Sequence, residues 1–190
     1  DWNNGVEQAQ HDKLEMICRK LRLKSGDTML DIGCGWGGLV CHAAQHYGVK
    51  AHGITLSEEQ LAFAREKVKR LGLEHLVTLE LKDYMLAEGR YDKIASIGMY
   101  EHIGLKNIPG YMAKMQQLLA KDGLFLNHAI ARRAVDVHRQ ARAIAHRHVH
   151  RLAERPLRHR LSTPQADLPT WERLPPCSGI HHPPVTLLLR

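Results

Sequence analysis

The sequence predicts an α/β protein with a doubly wound, mostly parallel sheet and helices on both faces. Three observations carry this reading. Five short apolar segments of strand character alternate with segments of helical period up to residue 130. The connections between them are short, as in βαβ units. A glycine-rich turn, "LDIGCGWGGL" at 30–39, joins the first strand to a helix, and such a turn lets backbone approach a ligand closely.

Taken in order, residues 7–22 read as an amphipathic helix, with Leu14, Ile17, Cys18 and Leu21 at i, i+3, i+4 and i+7. "TMLDIG" (28–33) is a short buried strand, and "GGLVCHAAQHYG" continues as a helix closed by Gly48. "KAHGIT" (50–55) is the second strand. Ser57 opens the next helix, through Leu71, and with Gln60 it fits an S-x-x-Q capping box. "LVTLEL" (76–81) and "YDKIASIG" (91–98) are the third and fourth strands. Residues 107–120 carry Ile108, Tyr111, Met112, Met115, Leu118 and Leu119 on one helical face, and "GLFLNHAI" (123–130) is the fifth strand. In such sheets a ligand lies outside the carboxyl ends of the strands. The informative residues are therefore Asp31 to Gly38, Thr55 to Ser57, Asp83 and Tyr84, Met99 to Gly104, and Asn127 to Ile130.

Composition divides the chain near Ile130. Residues 1–130 hold 16 Lys and Arg against 16 Asp and Glu, whereas residues 131–190 hold 11 Arg, no Lys and 4 acids, so the tail carries the whole net charge of +7. The tail also has 7 of the 8 prolines. The expected domains are thus 1–130, an incomplete ligand-binding domain, and 131–190, an irregular Arg/His/Pro-rich tail. A reading-frame shift in a GC-rich gene gives this composition; a true basic extension for anionic lipid or nucleic acid is the alternative. Trp171 is the tail's only aromatic residue, which argues against specific nucleic-acid recognition. The sequence has no run of 18 apolar residues, and its start lacks the regions of a signal peptide. The four cysteines show no CxxC pair or metal-ligand spacing, so reduced thiols, a cytoplasmic setting and no metal are expected.

The turn Asp31-x-Gly33-x-Gly35-x-Gly37-Gly38 resembles a dinucleotide fingerprint, but a lone glycine pattern is weak evidence for any one ligand. It suits S-adenosylmethionine, which has no pyrophosphate but needs close backbone approach and acceptors for its ammonium and ribose. A tight turn with no ligand is the structural alternative. Glu58 and Glu59 follow the second strand, in a first helical turn where the macrodipole favours acids whatever binds.

"LDIGCGWGGL", "GITLSEEQLAFARE", "LKDY", "SIGMYEHIG" and "GLFLNHAI", in this order and spacing, closely resemble the cyclopropane-fatty-acyl-phospholipid synthases. These are class I S-adenosylmethionine-dependent methyltransferases, and the resemblance covers about residues 6–130. It implies a Rossmann-like methyltransferase sheet in which Asp31, Gly33, Cys34, Gly35 and Gly37 bind the cofactor, the glycines against its methionine end. Thr55, Leu56 and Ser57 would reach the ribose, with Gln60 behind them, and Asp83 and Tyr84 would stand beside the adenine. An ordinary strand exit is the alternative for "LKDY".

The reaction so implied passes the methyl carbon of S-adenosylmethionine to a cis double bond of a phospholipid acyl chain. A base then removes a proton and the cyclopropane ring closes. The resemblance gives that role to a bicarbonate ion held by Glu101 and His128, with the carbonyl of Ile130 joining the site. A buried acid capping a loop is the alternative for Glu101, and a core histidine for His128. Tyr100 and Met99 would line an apolar pocket, and His102 reads as structural. The implied partners are phospholipids with unsaturated acyl chains, at a peripheral contact with the inner membrane surface; a homodimer is compatible. The family's Y-S-C-x-Y-[WF] segment and its downstream active-site tyrosine have no counterpart here, so weak or no synthase activity is expected of the 190-residue chain.

Overall fold

The computed structural model describes residues 4–130 and 184–189. One compact unit comprises residues 1–129 with 185–190, and a second spans 130–184. Cys177 and the basic stretch from 131 lie outside the described residues.

The first unit opens with α1 (Val6–Lys20) and proceeds through β1 (Thr28–Ile32), α2 (Gly38–Tyr47), β2 (Lys50–Thr55), α3 (Glu58–Arg70), β3 (Val77–Leu81) and β4 (Tyr91–Ile97). A one-turn helix, α4 (Tyr100–Ile103), precedes α5 (Ile108–Leu118) and β5 (Leu119–Ile130). The strands run in the order β3-β2-β1-β4-β5, with all four neighbouring pairs parallel. This is the doubly wound sheet the alternation predicts.

β6 (Pro184–Leu189) takes a sixth place beside β5. The sequence reading left this stretch in an irregular tail. Its "PVTLLL" has the apolar, β-branched start of a strand, but six residues are too few to establish a period against the prolines around them. The outer edge of β5 therefore has a neighbour.

Strand alternation divides the core. Met29, Ala51, Leu79, Ala95, Leu124 and Leu126 face the side packed by α1, α2 and α3. Leu30, Ile32, Ile54, Ile94 and Phe125 are buried on the opposite side, where the Tyr111 ring of α5 lies 6.1 Å from that of Phe125. β5 starts earlier than residue 123 because its first residues are interrupted: Tyr91 pairs with Leu119 and Lys93 with Leu124. The extra residues turn through Asp122 at φ 64° and Gly123, where a Cβ would fall 2.9 Å from the Asp92 carbonyl oxygen.

Candidate active site

The glycine loop leaves β1 at the carboxyl edge of the sheet. Gly33, Gly35 and Gly37 all have positive φ (75°, 53° and 73°), a backbone open to glycine and strained for other residues. Gly37 is also pressed: a Cβ there would lie 3.0 Å from that of Ala64 on α3. The loop hangs from a single acceptor. The amides of Gly33 and Cys34 both donate to the Ile54 carbonyl, at 3.0 and 2.9 Å. Gly53, one residue earlier on β2, leaves room for Cys34, whose Sγ would lie 2.9 Å from a Cβ on it.

Asp31 is only 3 % exposed, and burial alone pushes its carboxyl up to about 7. Among the described residues no charge or hydrogen bond offsets that burial, so a cationic ligand group would. Cys34 is buried beside it and its thiol is pushed up to about 12, first by burial and then by the Asp31 charge. Cys34 is thus a packing residue of the loop, and its thiol stays protonated.

β2 ends in Thr55, whose hydroxyl donates to Gln60 Oε1 at 2.9 Å and accepts from the Ser57 amide at 3.3 Å. Ser57 caps α3 by accepting from the Gln60 amide at 3.3 Å. The capping box is therefore half formed: Thr55 has displaced Gln60 from its reciprocal bond. This fixes Thr55, Ser57 and Gln60 as one polar group, while Leu56 between them projects into solvent, 71 % exposed. Glu59 accepts from the Ser57 hydroxyl at 2.8 Å, a local role as expected. β3's exit is tied to β2 by the Lys82 amide donating to the Thr55 carbonyl at 3.0 Å. Asp83 then caps a short 3₁₀ turn (Tyr84–Leu86), accepting from the Met85 amide at 2.8 Å.

β4's exit reaches the loop through Met99, 3.7 Å from where a Gly33 Cβ would stand. Glu101 follows on α4, at an exposed position. His128 is half-buried near the end of the neighbouring β5, where its carbonyl accepts from the Gly98 amide at 2.8 Å. Burial chiefly holds its imidazole below the usual value, helped by Lys20 and Lys13 of α1 and opposed by the Glu101 carboxylate. Glu101 and His128 are thus within electrostatic reach of each other. Ile130 ends β5.

Three polar residues the sequence reading did not join lie beneath this exit. Ser96, Asn127 and Tyr111 are all but fully buried, and the Tyr111 hydroxyl donates to Asn127 Oδ1 at 3.5 Å. The Tyr111 ring also meets those of Tyr84 and Tyr100, 5.4 and 6.1 Å away. One signal was present: a serine inside the apolar "KIASIG" and an asparagine inside "LFLNHA" interrupt runs that otherwise read as core. Among the described residues no group of His, Cys, Asp or Glu could hold a metal ion.

A 3-2-1-4-5 parallel sheet with a glycine loop after β1, a buried acid at that strand's end and a polar clasp after β2 defines the Rossmann-like methyltransferase fold. A solved mycolic acid cyclopropane synthase, CmaA1 complexed with SAH and CTAB, matches with a TM-score of 0.67 and 28 % identity, over 80 % of this chain and 53 % of that one. The chain belongs to the mycolic acid cyclopropane synthetase family, whose model matches residues 1–155. That match runs past Ile130, where the composition changes.

Among curated relatives, a probable fatty acid methyltransferase of Pseudomonas putida is 47 % identical over 70 % of this chain and 34 % of its own length. The cyclopropane-fatty-acyl-phospholipid synthase of Escherichia coli K12 is 44 % identical over the same shares. Sphingolipid C9-methyltransferase A of Emericella nidulans is 36 % identical over 63 % of this chain and 24 % of its own length. The chain spans about a third of the length of the first two relatives.

Proposed function

We propose that this chain is the cofactor-binding part of an S-adenosylmethionine-dependent methyltransferase that modifies cis double bonds of phospholipid acyl chains. The observation that carries the reading is the sharing of one sheet edge by the glycine loop with its buried Asp31 and by Glu101 with His128. The bound cofactor supplies an electrophilic methyl carbon on a sulfonium centre. Asp31 and the backbone of Gly33, Gly35 and Gly37 hold the methionine end, where the buried carboxylate gains a cationic partner. Thr55, Ser57 and Gln60 present hydroxyl and amide groups to the ribose. Asp83 and Tyr84 bound the adenine side.

His128 is kept neutral at pH 7 by its burial and by the lysines of α1, so it can both accept and donate a hydrogen bond. With Glu101 it would orient a small anion such as bicarbonate, which takes the proton released when the ring closes. Developing positive charge on the acyl chain would be met by the Glu101 carboxylate and the ring of Tyr100. The membrane surface supplies the acceptor; no helix of the described residues is long and apolar enough to cross it.

A second reading keeps the cofactor and changes the acceptor, for which the similarity to a sphingolipid methyltransferase is the specific ground. One experiment tests both. The chain is titrated with S-adenosylhomocysteine by calorimetry, then incubated with methyl-labelled cofactor and vesicles of cis-unsaturated phospholipid or of sphingolipid. Saturable binding with a 14 Da gain and loss of the double bond supports the first reading. Label on sphingolipid alone moves the assignment to the second, and absence of binding overturns both.

A further inference from the structure

We propose that the seam between α1 and α2 is an acid-labile clasp, so that α1 is released from the body of the protein as pH falls below neutrality. Three imidazoles meet there. His42 and His46 sit one turn apart on α2 with ring centroids 4.4 Å apart, and His11 of α1 closes on them at 5.2 and 6.3 Å. Glu15 of α1 is the hub of the seam. It accepts from Arg19 Nε at 2.7 Å, from the Tyr47 hydroxyl at 2.8 Å and from His42 Nε2 at 3.2 Å. Asp12 faces His11 at 3.8 Å. β2 and β3, which also pack against α2, contribute the apolar Ala51, Val77 and Leu79 to the core there.

The seam is held by these hydrogen bonds and ring contacts. Acid brings a charge to His42, whose ring lies 5.2 and 4.4 Å from those of His11 and His46. His42 is the sensitive member because its side chain is only 6 % exposed. Burial first, then His46 and His11, hold its protonation below the ordinary histidine value of 6.5, against the pull of Glu15. The unfolded or detached helix leaves His42 free to take up its proton, so the clasp's stability is present above pH 6.5 and declines as pH falls below it. The Glu15 carboxylate, held down to about 2 chiefly by Arg19, stays charged through this range and is not the trigger. Release has a consequence at β5: it withdraws Lys13 and Lys20 of α1, whose charges act on His128.

The test is amide hydrogen exchange by mass spectrometry on the 190-residue chain at about pH 7.5 and about pH 5.5, corrected for intrinsic rates. Protection of residues 6–20 should fall about tenfold relative to α3, the order expected for like charges at these separations in water. His42→Gln, which keeps a donor to Glu15 but does not titrate, should abolish the difference. If His42→Gln fails to fold, the double variant H11Q/H46Q, altered at two exposed rings, should reduce it. Equal protection of α1 at the two pH values overturns the proposal, as does an acid loss of the same size in the variants.

Discussion

Gly53 sits under the glycine loop, and replacing it by alanine tests whether the loop's position is set by packing from β2. The added Cβ would stand 2.8 Å from Leu79 Cδ2, 2.9 Å from Cys34 Sγ and 3.0 Å from Cys34 Cβ. Leu79 can swing its terminal methyl away. Cys34 cannot retreat as easily, because its amide is fixed to the Ile54 carbonyl at 2.9 Å. The strain therefore passes into the loop. Overpacking of this kind costs about 1–3 kcal/mol. For a unit of this size that lowers Tm by roughly 3–10 °C. Because Gly33 and Cys34 share their acceptor, S-adenosylhomocysteine affinity should fall together with Tm, by about tenfold for each 1.4 kcal/mol of binding lost. Differential scanning calorimetry and titration calorimetry read the two effects. Adding Cys34→Ala removes the contact at Sγ and should restore part of both. Gly110→Ala in α5, where a Cβ meets nothing within 4 Å, should be neutral or stabilising. If Gly53→Ala matches the parent chain in both Tm and affinity, the loop is not held by this packing and the reasoning fails.

Other outcomes follow from the same geometry. Ser57→Ala removes the cap of α3 and should lower stability by about 0.5–2 kcal/mol in urea unfolding. Thr55→Val deletes the hydroxyl between Gln60 and the Ser57 amide; it should weaken S-adenosylhomocysteine binding with a smaller effect on Tm, and an unchanged Kd would remove Thr55 from the site. With Asp31 held up at about 7, the folded chain binds a proton between pH 3.8 and 7 that the unfolded chain has lost. Stability should thus fall as pH rises through that window and level off above it. Asp31→Asn should remove this slope, gaining on the parent at about pH 8 and not at about pH 4, as compared by urea unfolding. Tyr111→Phe leaves Asn127 Oδ1 without its donor and should cost about 1–3 kcal/mol; equal stability would show that the 3.5 Å contact contributes nothing.

The alternation of elements was legible because β1 to β5 are apolar runs and all but β3 and β4 are separated by helices long enough to show a period; between those two the chain makes only the 3₁₀ turn Tyr84–Leu86. Lys50–Thr55 has the same bounds in sequence and structure, and Gly48 closes α2 in the left-handed conformation expected of it. What escaped was short or tertiary. α4 has four residues, less than a period can reveal. The pairing of Thr55 with Gln60 is decided by β2 ending against α3, so the local S-x-x-Q pattern promised a bond that a neighbour took. Tyr111, Asn127 and Ser96 come from α5, β5 and β4, and no window of sequence contains all three. The placement of Asp31, Thr55 and Asp83 at strand exits could be read locally. That burial alone governs the Asp31 carboxyl among the described residues could not, because it is a property of the packed core.

The attachment of the glycine loop to Ile54 is made wholly of backbone atoms. Two amides and one carbonyl are blind to side-chain identity, so exchanges at Cys34 and Ile54 that keep the buried volume leave the bond in place. A change of chain length is another matter. Inserting or deleting one residue between Ile32 and Gly35 would slide a different amide under that carbonyl and turn the loop away from Thr55. The register of this short stretch is therefore the part of the site least able to drift, and tolerance to substitution and tolerance to insertion should diverge most sharply there.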